Sequence, residues 1–332
     1  MMFGMISRKK LYIWIGVMVV LVVGGVLLSK IGNNIEISNK NGSESVKKEK
    51  SMLAGIECEN YDARPYAVML SSDKEARPLS GIGNADMVFE MPVVENGFTR
   101  MMAVYQCNRP EELGSVRSSR LDFVPLALGL NAIYAHFGGE KEVLEELNSG
   151  IIDNVDGLKY DGTIYYRKKS IPMPHNAFTN FDLLGEISSK LGYKLSSPEV
   201  SYPHDEDRSK GEVEPEPIFS KEFQVIWEYS KETNSYFRSR GGKQEIDKNT
   251  GKQVETKNVV IMKTTWSPIN KDYIRVKTVG SGGLLVYKNG AVITGTWEKK
   301  NDRSKLYFYD QNHKEIPLVS GSTWVEVDAR GL

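Results

Sequence analysis

Residue types that mark reactive or metal-binding proteins are scarce in this chain. Its 332 residues include only two cysteines and four histidines, and its formal net charge is zero. Without an excess of positive charge the chain offers no basic face to a phosphate backbone, so we expect no nucleic-acid partner. It also lacks a P-loop, a dinucleotide fingerprint, a zinc-ligand spacing, a serine-hydrolase elbow and an EF-hand loop. We therefore predict neither a cofactor nor a metal site.

The two cysteines, Cys58 and Cys107, leave two interpretations open. In an oxidising compartment they can form a disulfide, and in a packed core they can stay as two buried thiols. Their spacing along the chain does not show whether the two Cα atoms approach within bonding distance. No histidine lies near either cysteine in the sequence. We therefore predict that neither is a nucleophile or a metal ligand.

One long hydrophobic run is present, over residues 11–29, and it contains no charged residue. A helix of this length can cross the ~30 Å of a bilayer's hydrocarbon core. The cations before it, Arg8, Lys9 and Lys10, keep the N-terminus in the cytoplasm. A cleaved signal peptide has a shorter apolar stretch of ~7–15 residues and a small-residue cleavage site, which this segment does not match well. We predict a single-pass plasma-membrane protein with residues 1–10 cytoplasmic, a signal anchor over 11–29 and an extracellular body.

Composition divides the rest of the chain into four parts. Residues 30–57 are mostly polar, which predicts an extracytoplasmic stalk. Residues 58–200 mix strand-like and helix-like patterns, and residues 201–217 are acidic and contain prolines, as linkers do. Residues 218–332 contain short β-branched and aromatic runs separated by turn pairs. We predict an α+β protein in which a mixed α/β domain is followed by a mainly antiparallel β domain, behind a single transmembrane helix.

Hydrophobic patterning predicts the elements of the first domain in more detail. Short apolar runs bounded by Gly, Pro, Asn or Asp are typical of strands, and longer runs with a helical period are typical of helices. The predicted strands cover residues 66–70, 86–90, 100–106 and 132–137, and the predicted helices cover residues 121–130, 141–147 and 181–191.

Two carboxylates, Glu90 and Glu95, lie close together around a proline. Carboxylates at such spacing can meet at one site and divide acid and base roles if their environments move their pKa values apart. The other interpretation is that Glu90 ends a strand and Glu95 lies in solvent. Both glutamates are therefore candidate catalytic residues with a structural alternative.

A second polar group occupies residues 114–120, just before the helix predicted to start near Leu121. Free N–H groups at a helix N-terminus attract anions, and guanidinium groups would add bidentate donors. Alternatively, the arginines pair internally with Glu90 or Glu95, because a cation near a helix start is unfavourable without an acidic partner. The candidate ligand-binding residues here are Ser115, Arg117, Ser118 and Arg120.

Two histidines give a third group of candidates. His136 ends a predicted strand shortly before Gly138 and Gly139, and His175 precedes Asn176. Glycines after a strand let the backbone approach a ligand closely, and histidine is the usual proton carrier near neutral pH. His136 is thus a candidate catalytic residue, although a histidine at a strand end is often a hydrogen-bonded core residue. We assign the other four residues as candidates for ligand binding.

Short motifs along both predicted domains point to one family. They lie at residues 64–69 (RPYAVM), 76–78 (ARP), 85–90 (ADMVFE), 99–100 (TR), 114–120 (GSVRSSR), 134–139 (YAHFGG), 156–157 (DG), 174–176 (PHN), 249–251 (NTG), 280–287 (GSGGLLVY), 295–297 (GTW) and 315–318 (EIPL). Together they resemble the YerB-like family of Gram-positive envelope proteins, a two-domain family long described as of unknown function. The resemblance covers most of residues 64–328.

This resemblance implies two extracytoplasmic domains attached to the membrane. Many members look like lipoproteins, whereas no cysteine directly follows the apolar run of this chain, so the resemblance leaves the mode of attachment open. The resemblance also implies that the polar motif residues surround one cleft: Glu90, Glu95, Arg100, Arg117, Arg120, His136, His175 and Asn176.

We expect a cell-envelope protein that binds an anionic or glycan ligand, and we expect peptidoglycan because an outward-facing domain on a stalk meets that polymer. If the site is catalytic, we expect glycosidic-bond cleavage with Glu90 or Glu95 as proton donor and the arginines holding a carboxylate. The alternative is a non-catalytic scaffold that docks envelope-synthesis or division proteins. Its candidate recognition residues are Trp266, Trp297 and Trp324.

Overall fold

A computed structural model describes residues 48–95, 98–196, 200–205, 218–220, 224–271 and 273–329, with residues 218–220 described by their backbone alone. The predicted membrane span and most of the predicted stalk lie outside these ranges. Within them, no helix is both long and apolar enough to cross a membrane. Residues Lys47–Leu332 form one compact unit.

Most of the regular secondary structure in the described residues is β-strand. The strands in the first part are β1 (Glu49–Lys50), β2 (Glu57–Cys58), β3 (Tyr66–Ser71), β4 (Met87–Pro92), β5 (Thr99–Tyr105), β6 (Leu113–Gly114), β7 (Ile133–His136), β8 (Asn154–Asp156), β9 (Tyr166–Arg167), β10 (Ala177–Thr179) and β11 (His204–Asp205). Those in the second part are β12 (Ile218–Ser220), β13 (Val225–Ser230), β14 (Ser235–Arg240), β15 (Lys243–Gln244), β16 (Glu255–Thr256), β17 (Asn258–Lys263), β18 (Trp266–Pro268), β19 (Ile274–Val276), β20 (Gly280–Lys288), β21 (Ala291–Lys299), β22 (Tyr307–Asp310), β23 (Leu318–Val319) and β24 (Thr323–Asp328).

Helices are few and short. The described α-helices are α1 (Val124–Gly129), α2 (Lys141–Asn148) and α3 (Phe181–Lys190), and short 3-10 turns cover Lys74–Ala76, Ile82–Asn84 and Leu121–Phe123. All three predicted helices are present, but the first is split into a 3-10 turn and α1, where Pro125 lies in the first helical turn. The fold is therefore mostly β with few helices, and the finer prediction of an α/β first domain is not confirmed.

One ten-stranded sheet organises the molecule, in the order β22-β21-β20-β17-β24-β4-β5-β3-β7-β8. Strand β24 pairs in parallel with both β17 and β4, and β7 pairs in parallel with β3 and β8. Strand β5 is antiparallel to its neighbours β4 and β3. Strands β20 and β21 alternate in direction after β17. Seven strands therefore run in the same direction, with their carboxyl ends along one edge of the sheet: β3, β4, β7, β8, β17, β21 and β24.

Both predicted domains contribute to this sheet. Val325 of β24 lies opposite Phe89 of β4 and Val260 of β17, so a strand from near the C-terminus joins the two parts of the chain. Most of the predicted linker lies outside the described residues, but His204–Asp205 is a strand that pairs in parallel with Leu318–Val319. The domain boundaries stay predictions, while the sheet itself is continuous.

The sheet has two buried faces because its central strands are apolar on both sides. On the first face, Met69 and Met102 pack in one cluster with α1 and α2. On the second face, Val68 and Ala103 pack in another cluster that includes α3 and the smaller sheet of β12 to β16. Alternate residues of each strand therefore point to different clusters, which decides where every charged side chain of these strands lies.

Cys58 and Cys107 form a disulfide, with their Cα atoms 5.7 Å apart. The bond ties β2, near the start of the described chain, to the segment that follows β5. Of the two interpretations left open by the sequence, the oxidised pair is the one in the structure. The tryptophans proposed as recognition residues are largely inside: Trp297 and Trp324 are buried, and Trp266 is half-buried.

Candidate functional site

The segment of residues 114–120 crosses the carboxyl ends of the parallel strands. The Arg117 amide donates to Met69 O at 2.9 Å, and the Phe137 amide donates to Arg117 O at 3.0 Å. One step further, the Ser119 amide donates to Gly138 O at 2.9 Å. These bonds fix the segment between the ends of β3 and β7, the edge where parallel sheets commonly bind ligands.

Three arginines meet here on the first face, together with side chains from three other loops. Arg100 Nη1 lies 3.3 Å from Asp73 Oδ2, and Arg117 Nη2 lies 3.8 Å from the same oxygen. The remaining contacts are 3.8 Å between His175 Nδ1 and Asp73 Oδ2 and 2.6 Å between Arg120 Nε and Glu140 Oε1. We call this group the arginine cluster; it consists of Asp73, Arg100, Arg117, Arg120, Glu140 and His175.

The arginine cluster carries more positive than negative charge. Burial lowers the pKa of Arg100 to about 10, and the charges of Arg117 and Arg120 add to the effect, but the Arg100 guanidinium stays charged at neutral pH. Burial tends to raise the pKa of Asp73, but the Ser71 hydroxyl and the arginines outweigh it and the pKa is lowered. The three cations thus face two carboxylates, Asp73 and Glu140.

Histidine adds no further charge to the arginine cluster at neutral pH. Burial lowers the pKa of His175, and the nearby Arg117 charge lowers it further. The imidazole is therefore neutral near pH 7, although Asp73 lies beside it. A neutral imidazole next to an ionised carboxylate can accept one proton from a bound group or donate one to it.

Two buried donors in the arginine cluster lack acceptors. Arg100 is only 5% exposed, and neither its Nε nor that of Arg117 has a hydrogen-bond partner among the described residues. An unpaired buried donor is unfavourable by roughly 1–3 kcal/mol. An anion seated between these guanidinium groups would satisfy both donors, which makes the arginine cluster a candidate anion-binding site.

The acidic partners of these arginines differ from those considered in the sequence. The sequence offers Glu90 or Glu95 as alternative partners, but the carboxylates in contact are Asp73 and Glu140. Neither Asp73 nor Glu140 is among the predicted site residues. The available signal was their position, because Asp73 lies two residues after β3 and Glu140 directly follows Gly139, so both lie at carboxyl ends of parallel strands.

Glu90 lies elsewhere, on the second face of the sheet. In the β4–β5 register Glu90 is opposite Met101 whereas Arg100 is opposite Met91, so Glu90 and Arg100 point to opposite sides. Glu90 is fully buried; its carboxylate accepts hydrogen bonds from Arg238 Nη2 at 2.5 Å and also from Arg240 and the Thr99 hydroxyl.

These contacts belong to a larger group of buried charges. Arg238 Nε lies 2.9 Å from Glu245 Oε2, its Nη2 lies 3.7 Å from Glu326 Oε1, and its guanidinium stacks 4.0 Å from the Trp324 ring. We call Glu90, Arg238, Arg240, Glu245 and Glu326 the buried ion network. With two guanidinium groups on Glu90 and no solvent access, the network leaves no room for a sugar beside this carboxylate.

The other predicted carboxylate, Glu95, is exposed in the turn that follows β4. Within the described ranges, no hydrogen bond or ion pair joins Glu95 to the arginine cluster. The structure thus separates the two glutamates that were considered as an acid–base pair.

His136 fits the structural alternative that the sequence left open. Both ring nitrogens have partners: Nδ1 lies 2.8 Å from Gly138 O, and Nε2 lies 3.3 Å from Asn154 Oδ1. Burial lowers the pKa of His136, so the ring is neutral. The Gly138 amide donates to Asp156 Oδ1 at 2.9 Å, which completes a hydrogen-bonded turn below the arginine cluster.

The remaining predicted residues either hold the backbone around the arginine cluster or lie outside it. Gly139 is close to packed side chains, since a Cβ there would lie 2.7 Å from Val143 Cγ1. Ser115 is buried and its carbonyl accepts from the Ser71 amide at 3.1 Å, while Ser118 is half-buried. Asn176 Oδ1 accepts from Arg167 Nη1 at 2.8 Å, away from the arginine cluster.

The arginine cluster is separate from the cavity beside α1, and the described residues form no metal centre there. Among the described residues, no group of three or more His, Cys, Asp or Glu side chains is placed to hold a metal ion. A cavity of about 270 Å³ lies beyond α1, with Asp122, Leu128 and Arg275 in its lining. No residue of the arginine cluster lines that cavity.

Comparison with known proteins covers both parts of the chain. Residues 53–194 match the family model described as "Protein of unknown function (DUF3048) N-terminal domain", and residues 216–325 match the corresponding C-terminal domain model. The chain is 31% identical over 293 residues to the Bacillus subtilis (strain 168) protein named "Putative lipoprotein YerB", with 86% of this chain and 87% of that protein covered.

The fold is also similar to a solved structure. The crystal structure of YerB from Bacillus subtilis matches with a TM-score of 0.75 and 29% sequence identity, over 84% of this chain and 96% of the crystallised one. Nearly the whole crystallised protein therefore corresponds to the residues described above. In the relative, this part of the protein folds without a further domain. On these grounds, the chain belongs to the YerB-like family, whose two domains are described as DUF3048.

Proposed function

We propose that this protein is an extracytoplasmic envelope protein that binds an anionic ligand at the arginine cluster. The observation that carries the proposal is the convergence of Arg100, Arg117 and Arg120 at one edge of the sheet, with two carboxylates beside them. Their planar guanidinium groups can bind a carboxylate or a phosphate through paired hydrogen bonds.

The location on the outer face of the membrane is supported by three points. The similar Bacillus protein is named "Putative lipoprotein YerB", and lipoproteins are held at a membrane surface. In this chain, the apolar run of residues 11–29 preceded by cations predicts an exported body. The disulfide between Cys58 and Cys107 agrees with an oxidising compartment.

The proposal is for binding and does not extend to glycosidic-bond cleavage. Glu90 is enclosed in the buried ion network, and Glu95 lies in an exposed turn. Peptidoglycan as the ligand stays a prediction that rests on location, because carboxylate and phosphate groups would both fit the guanidinium groups. A scaffold role receives no support from Trp297 and Trp324, since both are buried.

The test is a titration of a soluble fragment, residues 47–332, with inorganic phosphate at constant ionic strength, followed by the apparent Tm. A ligand that binds the folded state raises the apparent Tm by mass action. We expect phosphate to raise it, and we expect Arg117→Gln to weaken phosphate binding at least tenfold. Arg117 is chosen because its side chain is partly accessible, so its loss should leave the core intact.

A matched control is Arg303→Gln. Arg303 is exposed, donates to Ile151 O at 2.8 Å and has no contact with the arginine cluster. We expect this variant to bind phosphate within twofold of the wild type. An equal response to phosphate in the wild type and in Arg117→Gln, or none in either, would remove the proposed function.

A further inference from the structure

The three most exposed apolar side chains lie in segments that adjoin the arginine cluster. Eight large apolar residues are exposed in the part of the chain that the structure describes. The three most exposed are Met173 at 73%, Phe98 at 65% and Leu158 at 60%, and the next is Val292 at 51%. Where exposed apolar side chains lie near one another, they commonly mark an interaction site.

Chain connections and contacts place these three residues at the arginine cluster. Met173 precedes Pro174, whose carbonyl accepts a hydrogen bond from Arg117 Nη1 at 3.1 Å. Phe98 lies two residues before Arg100 and immediately precedes β5. Leu158 covers Gly138, with its Cδ1 3.0 Å from where a Cβ would be, and Gly138 O accepts from the Ser119 amide.

The hairpin of β18 and β19 adds a fourth apolar residue. Ile269, 39% exposed, lies in its turn and its amide donates to Tyr273 O at 2.9 Å. The Tyr273 ring lies 5.0 Å from the Arg120 guanidinium, and the Ile274 amide donates to Val93 O at 3.3 Å, next to the β4–β5 turn. We call Phe98, Leu158, Met173 and Ile269 the apolar rim.

We infer that the ligand is the phosphate headgroup of an anionic lipid, held by the arginine cluster while the apolar rim enters the bilayer around it. This inference rests on the proposed function and names its ligand class. Peripheral binding to a bilayer requires exposed apolar area together with attraction to anionic lipid, and the two features occur here side by side.

The chemistry of the apolar rim favours a lipid over a glycan strand. A sugar polymer presents hydroxyl groups and occasional carboxylates, and it binds through polar contacts or by stacking on aromatic rings. Phe98 is the one ring in the apolar rim, and Leu158, Met173 and Ile269 offer neither a polar group nor a ring. Their aliphatic side chains lose contact with water when they enter hydrocarbon, which is favourable, whereas a glycan would leave them solvated.

The test is co-sedimentation of the fragment 47–332 with vesicles of phosphatidylglycerol or of phosphatidylcholine. We expect binding to the anionic vesicles and little to the zwitterionic ones. The double substitution Phe98→Ser and Met173→Ser should weaken vesicle binding at least tenfold, and Arg117→Gln should do the same. Val292→Ser removes a similarly exposed apolar residue on the β20–β21 hairpin and should leave vesicle binding unchanged.

The inference would be overturned if the wild type did not bind phosphatidylglycerol vesicles, or if it bound both lipids equally. It would also be overturned if the double variant had native circular dichroism and bound vesicles as well as the wild type does. Binding of purified peptidoglycan sacculi that depends on Arg117, without vesicle binding, would also overturn it in favour of a glycan. The phosphate titration separates the two proposals, since an Arg117-dependent phosphate response without vesicle binding removes this inference and keeps the proposed function.

Discussion

At the scale of single residues, two groups of charged side chains on opposite faces of the sheet differ in their access to solvent. The buried ion network lies on the second face of the sheet, and the Arg238 and Glu90 side chains at its centre are fully enclosed. The arginine cluster lies on the first face at the sheet edge, where the Arg117 and Glu140 side chains are partly accessible. Of the two groups, only the arginine cluster can receive a ligand without unfolding of the core.

Replacing Glu90 tests the structural role of the buried ion network. We expect Glu90→Gln to lower the free energy of unfolding by about 3–5 kcal/mol, because it leaves Arg238 and Arg240 buried with less compensating charge. Phosphate binding at the arginine cluster should be retained by the folded fraction. Guanidinium chloride denaturation measures the loss of stability.

The matched variant is Glu95→Gln, at an exposed position. It should change the free energy of unfolding by less than about 0.5 kcal/mol. Equal effects of the two substitutions would contradict a structural role for the buried ion network.

Removing Asp73 tests whether the arginine cluster is an anion site. The Asp73 carboxylate competes with a ligand for Arg100 and Arg117, so Asp73→Asn should raise phosphate affinity by roughly fivefold, or ~1 kcal/mol. Isothermal titration calorimetry measures the change. Glu75→Gln removes an exposed carboxylate of the same loop and should alter affinity by less than twofold. Weaker binding by Asp73→Asn would show that the carboxylate supports the ligand and does not compete with it.

At the scale of elements, the site is built where loops after parallel strands meet the hairpin of β18 and β19. The strands were predictable because each is a short apolar run ended by a turn, and β3, β4, β5 and β7 lie where the sequence placed them. The contacts between loops were not predictable. Nothing in the local sequence shows that the loop after β3 brings Asp73 to Arg117, or that Glu140 reaches Arg120, because these pairs form only after the sheet is assembled.

The Asp122 carboxylate joins the 3-10 turn before α1 to β19, and its protonation should affect the free energy of unfolding. Asp122 Oδ2 accepts from the Val276 amide at 2.8 Å, and burial raises the pKa of Asp122 to about 7. In the unfolded chain the group has an ordinary pKa near 3.8. Between these values the folded state holds the proton more tightly, so this contribution to stability is present at low pH and is lost as pH rises towards 7.

We therefore compare the wild type with Asp122→Asn, which cannot titrate. The free energy of unfolding of the wild type, minus that of the variant, should fall as pH rises from 4 to 8, by at most about 1.4 kcal/mol per pH unit. Denaturant unfolding at a series of pH values measures this difference. A difference that stays constant or increases with pH would mean that Asp122 is ionised in the folded protein.

At the scale of the whole molecule, one sheet spans the two parts into which the sequence was divided. The division followed real changes in composition, and the two family models meet in the same region, between residues 194 and 216. The sequence did not show that β24 lies between β17 and β4, because parallel pairing of strands far apart in the chain leaves no local signal. A mainly antiparallel second domain was predicted from its hairpins, which are indeed present as β20, β21 and β22.

Separating the two halves tests this shared sheet. We expect residues 47–205 and residues 206–332, expressed alone, to lack cooperative unfolding, since each would expose the apolar strand β4 or β24 as an unpaired edge. Co-expression should give a soluble complex with the circular dichroism of the intact fragment. Sharp, dispersed amide resonances from either half alone would show that the sheet consists of two independently stable parts.

The most direct measurement of the central claim is a crystal structure of the fragment 47–332 grown in inorganic phosphate, beside one of Arg117→Gln under the same conditions. In the wild type we expect one phosphate within hydrogen-bond distance of the Arg100, Arg117 and Arg120 guanidinium groups. In the variant we expect no phosphate at this position. An arginine cluster that holds only water at a phosphate concentration well above that used in the titration would contradict the claim.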